Sequence, residues 1–154
     1  MIQHTTSKIE KKQIVKILFL SKGDQPGKSR LIANINNTEY HDYKTISLDC
    51  IYCNFIDGNY KLIIYDTPTN DRFISIYLPQ VKRFDIVIYT IDLDNESLIN
   101  ESFINSIKEE KKDVIIYVVG NKLDKIEEKD MTKQILEKFR NQASDLIKQN
   151  KINQ

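Results

Sequence analysis

The chain has 154 residues, with 23 Lys+Arg against 22 Asp+Glu, two His, two Cys and no Trp. That length suits one domain with a real hydrophobic core. A net charge of +1 argues against a strongly basic nucleic-acid binder or an acidic solvating tail, and clustered β-branched and aromatic residues argue against disorder.

Residues 1–13 are polar and Lys-rich, which predicts a loose amino-terminal arm ahead of one domain over residues 14–154. This arm has no apolar h-region for secretion, Ile2 breaks the N-myristoylation pattern, and Gln154 is not a prenylatable Cys. The longest apolar runs are too short to cross a bilayer. The expectation is a cytoplasmic protein with no intrinsic membrane anchor.

Residues 14–20 (IVKILFL) form a continuous apolar run, as in a strand buried on both faces. A turn-rich stretch over 21–27 follows, then a short helix from about Lys28 carrying Leu31, Ile32 and Ile35. Residues 36–46 are polar and read as a loop. Segments 48–56 and 60–65 are β-rich and joined by Asp57-Gly58-Asn59, a strong hairpin signal. Cys50 and Cys53 fall inside the first of these, where residues three apart point to opposite faces, so they read as ordinary strand cysteines. Residues 66–71 (DTPTND) are turn chemistry again, with a short helix through 77–81. Residues 84–91 (FDIVIYTI) are the next buried strand, followed by helical spacing at Leu98, Ile99, Phe103 and Ile107. A further strand over 113–119 ends at Gly120, and Met131 to Ile147 marks a long amphipathic helix.

Apart from one hairpin, strands alternate with helices. This predicts an α/β fold in three layers, with a mostly parallel sheet and one antiparallel hairpin strand. Ligands of such sheets bind at the carboxyl ends of the strands, where each turn-rich segment falls.

The first strand, then Gly23-Asp24-Gln25-Pro26-Gly27-Lys28-Ser29, then a helix, is the context of a phosphate-binding P-loop. Main-chain N–H groups at the helix start face a polyphosphate, Lys28 supplies a cation, and the Ser29 hydroxyl can ligate Mg2+. Lys22 stands where the pattern has its first Gly, with Gly23 one residue later. Pro26 removes one N–H donor, and Asp24 sets a carboxylate near the terminal phosphate.

Several segments together resemble a Ras-superfamily small GTPase, most like its Rab branch. The loop ends in Gly27-Lys28-Ser29. Thr45-Ile46 is similar to the first switch, and residues 66–73 (DTPTNDRF) look like a diverged second switch. Residues 94–98 (DNESL) are similar to the stretch after the fourth strand. Gly120-Asn121-Lys122-Leu123-Asp124 matches the guanine-specificity motif. The resemblance implies GTP or GDP as ligand, with Gly23, Asp24, Gln25, Gly27 and Lys28 around the phosphates. It implies Mg2+ held by Ser29, Thr45 and, through water, Asp66. Asn121 and Asp124 would bind the guanine edge, and Lys122 would lie along the base.

Departures from the family pattern bear on catalysis. Asn70 occupies the position of the Gln that orients the attacking water and is one methylene shorter. Thr69 replaces a flexible Gly, and Pro68 precedes it, so the second switch is stiffened and hydrolysis is expected to be weak. After Asp124 only 30 residues remain, and the long helix takes most of them. The family's last strand and last helix do not fit, so the domain reads as incomplete at its carboxyl end. The open sheet edge over 113–119 gives a route to self-association. Two functions follow from the resemblance: a Rab-like GTP/GDP switch with effectors or regulators of Rab type, or a pseudo-GTPase module that mimics or sequesters Rab partners without a nucleotide cycle.

Overall fold

The computed structural model describes residues 13–22, 26–41, 47–54, 60–68, 70–94, 99–126 and 129–153. Five strands form one sheet in the order β2-β3-β1-β4-β5. These are β1 (Gln13–Ser21), β2 (Asp49–Asn54), β3 (Tyr60–Asp66), β4 (Ile86–Asp92) and β5 (Ile115–Asn121). The β1–β3, β1–β4 and β4–β5 pairs are parallel and the β2–β3 pair is antiparallel, which is the mixed sheet expected. The hairpin residues 57–59 themselves lie outside the described residues. Cys50 pairs with Tyr65 and Cys53 with Leu62. The Cys50 thiol is free and exposed.

Among the described residues, four helices cover the sheet: α1 (Lys28–Asn36), α2 (Ile74–Tyr77), α3 (Glu101–Glu110) and α4 (Lys129–Lys148). On one face, Leu18, Leu20, Val87, Tyr89, Ile91 and Ile116 pack with Phe103, Ile104 and Ile107 of α3 and Leu146 of α4. Tyr89 and Phe103 meet with ring centroids 5.1 Å apart in a tilted pair. On the other face Ile17, Phe19 and Ile64 pack against Ile32 of α1. Burial of each such side chain is worth about 1.5–3 kcal/mol, so these two clusters supply most of the driving force for the three-layer arrangement.

Local chemistry sets the helix ends. Asn100 accepts the Phe103 N–H at 2.9 Å and starts α3. Asn37 at φ 58 closes α1, where the Thr38 N–H reaches the Ala33 carbonyl at 3.0 Å. The segment after β3 is more broken than the short helix expected there. It runs as a 3-10 turn over Asp71–Phe73, then α2, then a 3-10 turn over Leu78–Arg83. Pro79 lacks the N–H that α-helical bonding would need at that point.

The carboxyl end also differs from expectation. Asn150 at φ 55 turns the chain out of α4, and Lys151 donates to the Leu146 carbonyl at 2.9 Å. The Ile152 side chain then enters the core at 5% exposure. Asn153 meets the β5 edge twice: its N–H donates to the Ile116 carbonyl at 2.7 Å, and its Oδ1 accepts the Ile116 N–H at 2.9 Å. Residues 151–153 thus satisfy part of an edge that the sequence pattern leaves open. Among the described residues no helix is long and apolar enough to cross a membrane.

Candidate functional site

Each parallel strand ends on a polar residue that the apolar run alone does not predict. Ser21 ends β1, Asp66 ends β3, Asp92 ends β4 and Asn121 ends β5. Parallel register sets them at one rim, with Phe19 opposite Asp66, Ser21 opposite Thr90, and Asp92 opposite Asn121. Ser21, Asp66 and Asp92 are all 5% exposed or less. Buried polar groups at strand ends are costly unless partnered, so the contacts among them define the site.

Lys28 opens α1 and is 1% exposed, which is rare for a lysine. Its Nζ donates to Ser21 Oγ at 2.8 Å. Burial pulls its pKa down from 10.5 to about 8, while the Asp66 carboxylate pushes the other way. Next in sequence, the Ser29 hydroxyl donates to Asp66 Oδ2 at 2.5 Å. Asp66 is followed by Thr67, whose hydroxyl donates to the Phe19 carbonyl at 2.8 Å and locks the start of the second turn region to β1. The Ser29 and Asp66 pair offers hard oxygen donors only, the donor chemistry that Mg2+ prefers.

Gly27 precedes Lys28 with φ at +79°. A Cβ there would stand 2.4 Å from Asn121 Nδ2, so both backbone and space demand glycine. The reason for the close approach is a bond: Asn121 Nδ2 donates to the Pro26 carbonyl at 2.9 Å. Pro26 has no N–H to give, but its carbonyl joins the first turn region to the turn after β5. Lys122 continues from Asn121 at φ 64, and its Nζ sits 2.6 Å from Asp92 Oδ2. Asp124 lies exposed in a 3-10 turn, Leu123–Lys125.

Asn70 is occupied differently from a water-orienting residue. Its Oδ1 accepts the Arg72 N–H at 3.0 Å and the Arg72 Nε–H at 3.3 Å, capping the 3-10 turn Asp71–Phe73. Pro68, two positions earlier, is buried. Gly23, Asp24, Gln25, Thr45 and Thr69 lie outside the described residues.

β1 and α1 thus frame a buried lysine and a Ser–Asp oxygen pair, with an Asn-Lys-x-Asp turn bonded back to Pro26. Residues 16–150 match the sequence profile of the Ras family. The chain belongs to the Ras family. A second likeness is to the "Crystal structure of bacterial selenocysteine-specific elongation factor EF-Sec", with a TM-score of 0.66 and 21% identity over 89% of this chain. This chain spans 24% of that one, and the likeness is one of fold.

Within this Ras-family domain, the rim brings together Lys28, Ser29, Asp66, Asn121 and Lys122 and leaves Asp124 open beside them. Two participants carry no motif signal: Ser21 and Asp92. Both had a readable clue, a polar residue that immediately ends a buried apolar run. Thr67 lies in the 66–73 run, but nothing in the sequence foretells its bond to the Phe19 carbonyl.

Proposed function

We propose that this chain is a guanine-nucleotide-binding switch, Rab-like in type, with weak GTP hydrolysis. The observation that carries the reading is the Asn121–Pro26 bond, which ties the Asn-Lys-x-Asp turn to the loop that presents Lys28. Base and phosphate ends of one ligand would therefore be held by a single connected element. Asp124 would accept from the two adjacent N–H donors of guanine, an edge that adenine lacks. Lys28 would exchange Ser21 for phosphate oxygens at the start of α1, where the helix dipole also favours an anion.

The Mg2+ that accompanies the nucleotide would be held by Ser29, by Thr45 and, through water, by Asp66. It would neutralise phosphate charge. Hydrolysis would be slow, because the Asn70 carbonyl oxygen is committed to the Arg72 cap and its side chain is short. That same cap favours a second reading, a pseudo-GTPase module that binds Rab-type partners without a nucleotide cycle. A cytoplasmic setting and effectors or regulators of Rab type belong to the proposal in either form.

The test is chromatographic and mass analysis of nucleotide released on denaturing the purified protein. GDP or GTP in stoichiometric amount supports the switch. Release of none, together with no binding of added GDP and Mg2+, supports the partner-binding module.

A further inference from the structure

Asp92 is a buried carboxylate at the rim to which the motifs assign no role. It ends β4 at 5% exposure, and its Oδ1 accepts the Asp94 N–H at 3.1 Å. Its Oδ2 takes the Lys122 ammonium at 2.6 Å, with side-chain exposures of 20% for the lysine and 6% for the aspartate. A carboxylate withdrawn this far from water costs several kcal/mol unless a charge meets it. An aliphatic residue such as neighbouring Ile91 would end the strand at no such cost, so packing alone does not explain the choice.

The main chain fixes the other end of Lys122. Its left-handed conformation at φ 64 and ψ 27 is disfavoured for a residue with a Cβ. It is held there between the Asn121 carbonyl, which accepts the Leu93 N–H at 3.0 Å, and the Lys125 N–H, which donates to the Lys122 carbonyl at 3.1 Å. Register places Asp92 directly opposite Asn121 on the adjacent strand. A lysine stem is normally rotationally free, but this one is pinned at its backbone and at its ammonium. Its four methylenes are therefore presented as a fixed strip beside Asn121 and Asp124.

We propose that Asp92 is a positioning residue of the base site: by anchoring the Lys122 ammonium it preforms the hydrocarbon strip on which a guanine ring rests. The inference depends on the guanine-nucleotide reading above and adds a residue to it. Asp92 makes no contact with the ligand in this scheme and acts only through Lys122.

The experiment is a double-mutant cycle on the full chain, read as mant-GDP association and dissociation rates, with tripolyphosphate affinity measured in parallel. Asp92→Asn should speed mant-GDP dissociation about tenfold while association changes little, and Lys122→Ala should do the same. The double variant should dissociate no faster than Lys122→Ala alone. Tripolyphosphate, which has no base, should bind Asp92→Asn as it binds wild type. Should Asp92→Asn fail to fold, Asp92→Glu keeps the charge and displaces it by one methylene, and an intermediate dissociation rate is expected. Unchanged dissociation, additive effects in the double variant, or equal weakening of tripolyphosphate would overturn the role of Asp92 while leaving nucleotide binding intact. Failure of the wild-type protein to bind mant-GDP at all would overturn the nucleotide reading and this role with it.

Discussion

Lys28 carries an unusual conflict at the level of a single side chain. A buried ammonium whose main partner is a serine hydroxyl is poorly compensated, and its pKa of about 8 against 10.5 expresses that strain. Each unit is worth about 1.36 kcal/mol, so on the order of 3 kcal/mol of folding stability is withheld at neutral pH. The unfolded chain keeps this proton up to pH 10.5 while the folded chain releases it near 8. Stability of the ligand-free protein from this group is therefore lowest below about pH 8 and rises between 8 and 10.5. Lys28→Met should raise the thermal midpoint of the ligand-free protein, by a gain of about 1–3 kcal/mol, and abolish mant-GDP binding. A lower midpoint on differential scanning calorimetry would show that the ammonium stabilises the fold instead.

At the scale of elements, the second turn region is where function and local structure compete. A 3-10 turn needs its first N–H groups satisfied, and Asn70 supplies that acceptor. The side chain that would orient water is thus already part of a cap. Single-turnover hydrolysis of bound GTP should run below about 3 × 10⁻⁴ s⁻¹, the lower end of unassisted Ras-type turnover. Asn70→Ala should leave that rate within about twofold, since a cap rather than a catalyst is removed, while costing roughly 1 kcal/mol of stability. A tenfold further loss of rate in quenched-flow assays would restore Asn70 to catalysis.

The elements themselves were largely legible from the chain. Continuous apolar runs located β1, β4 and β5, and the hairpin signal located β2 and β3. The errors at the carboxyl ends of the strands have one physical origin. Apolar periodicity ended each parallel strand at its last hydrophobic residue, whereas hydrogen bonding carries it on to Ser21, Asp66, Asp92 and Asn121. Pairing of main-chain groups is indifferent to side-chain polarity, so strand ends at a ligand rim are systematically read short. The motif residues Lys28, Ser29, Asp66 and Asn121 were legible because each spacing is local. The Ser21–Lys28 and Asp92–Lys122 contacts were not, because they depend on which strands become neighbours.

For the whole molecule, the sheet is covered unequally. One face carries α3, α4 and the segment through α2, while the other is covered by α1 over β1 and β3. On β5 this leaves Ile115 and Tyr117 each 38% exposed, beside an edge met by Asn153. Asn153→Ala removes the acceptor for the Ile116 N–H and should cost about 0.5–1.5 kcal/mol. Exchange of the Ile116 amide with deuterium should quicken in that variant while the β1 amides stay protected. Equal loss of protection throughout would mean that the carboxyl end is integral to the global fold.

The Asn121–Pro26 bond spans 95 positions of sequence. Closing a loop of that length carries a large entropic cost, so the bond forms only after the intervening strands have paired. The first turn region, although it precedes β5 in the chain, cannot set until β5 has emerged and docked. Synthesis therefore delivers the lysine well before it delivers the residue that shapes its surroundings, and the site is finished only once β5 is in place.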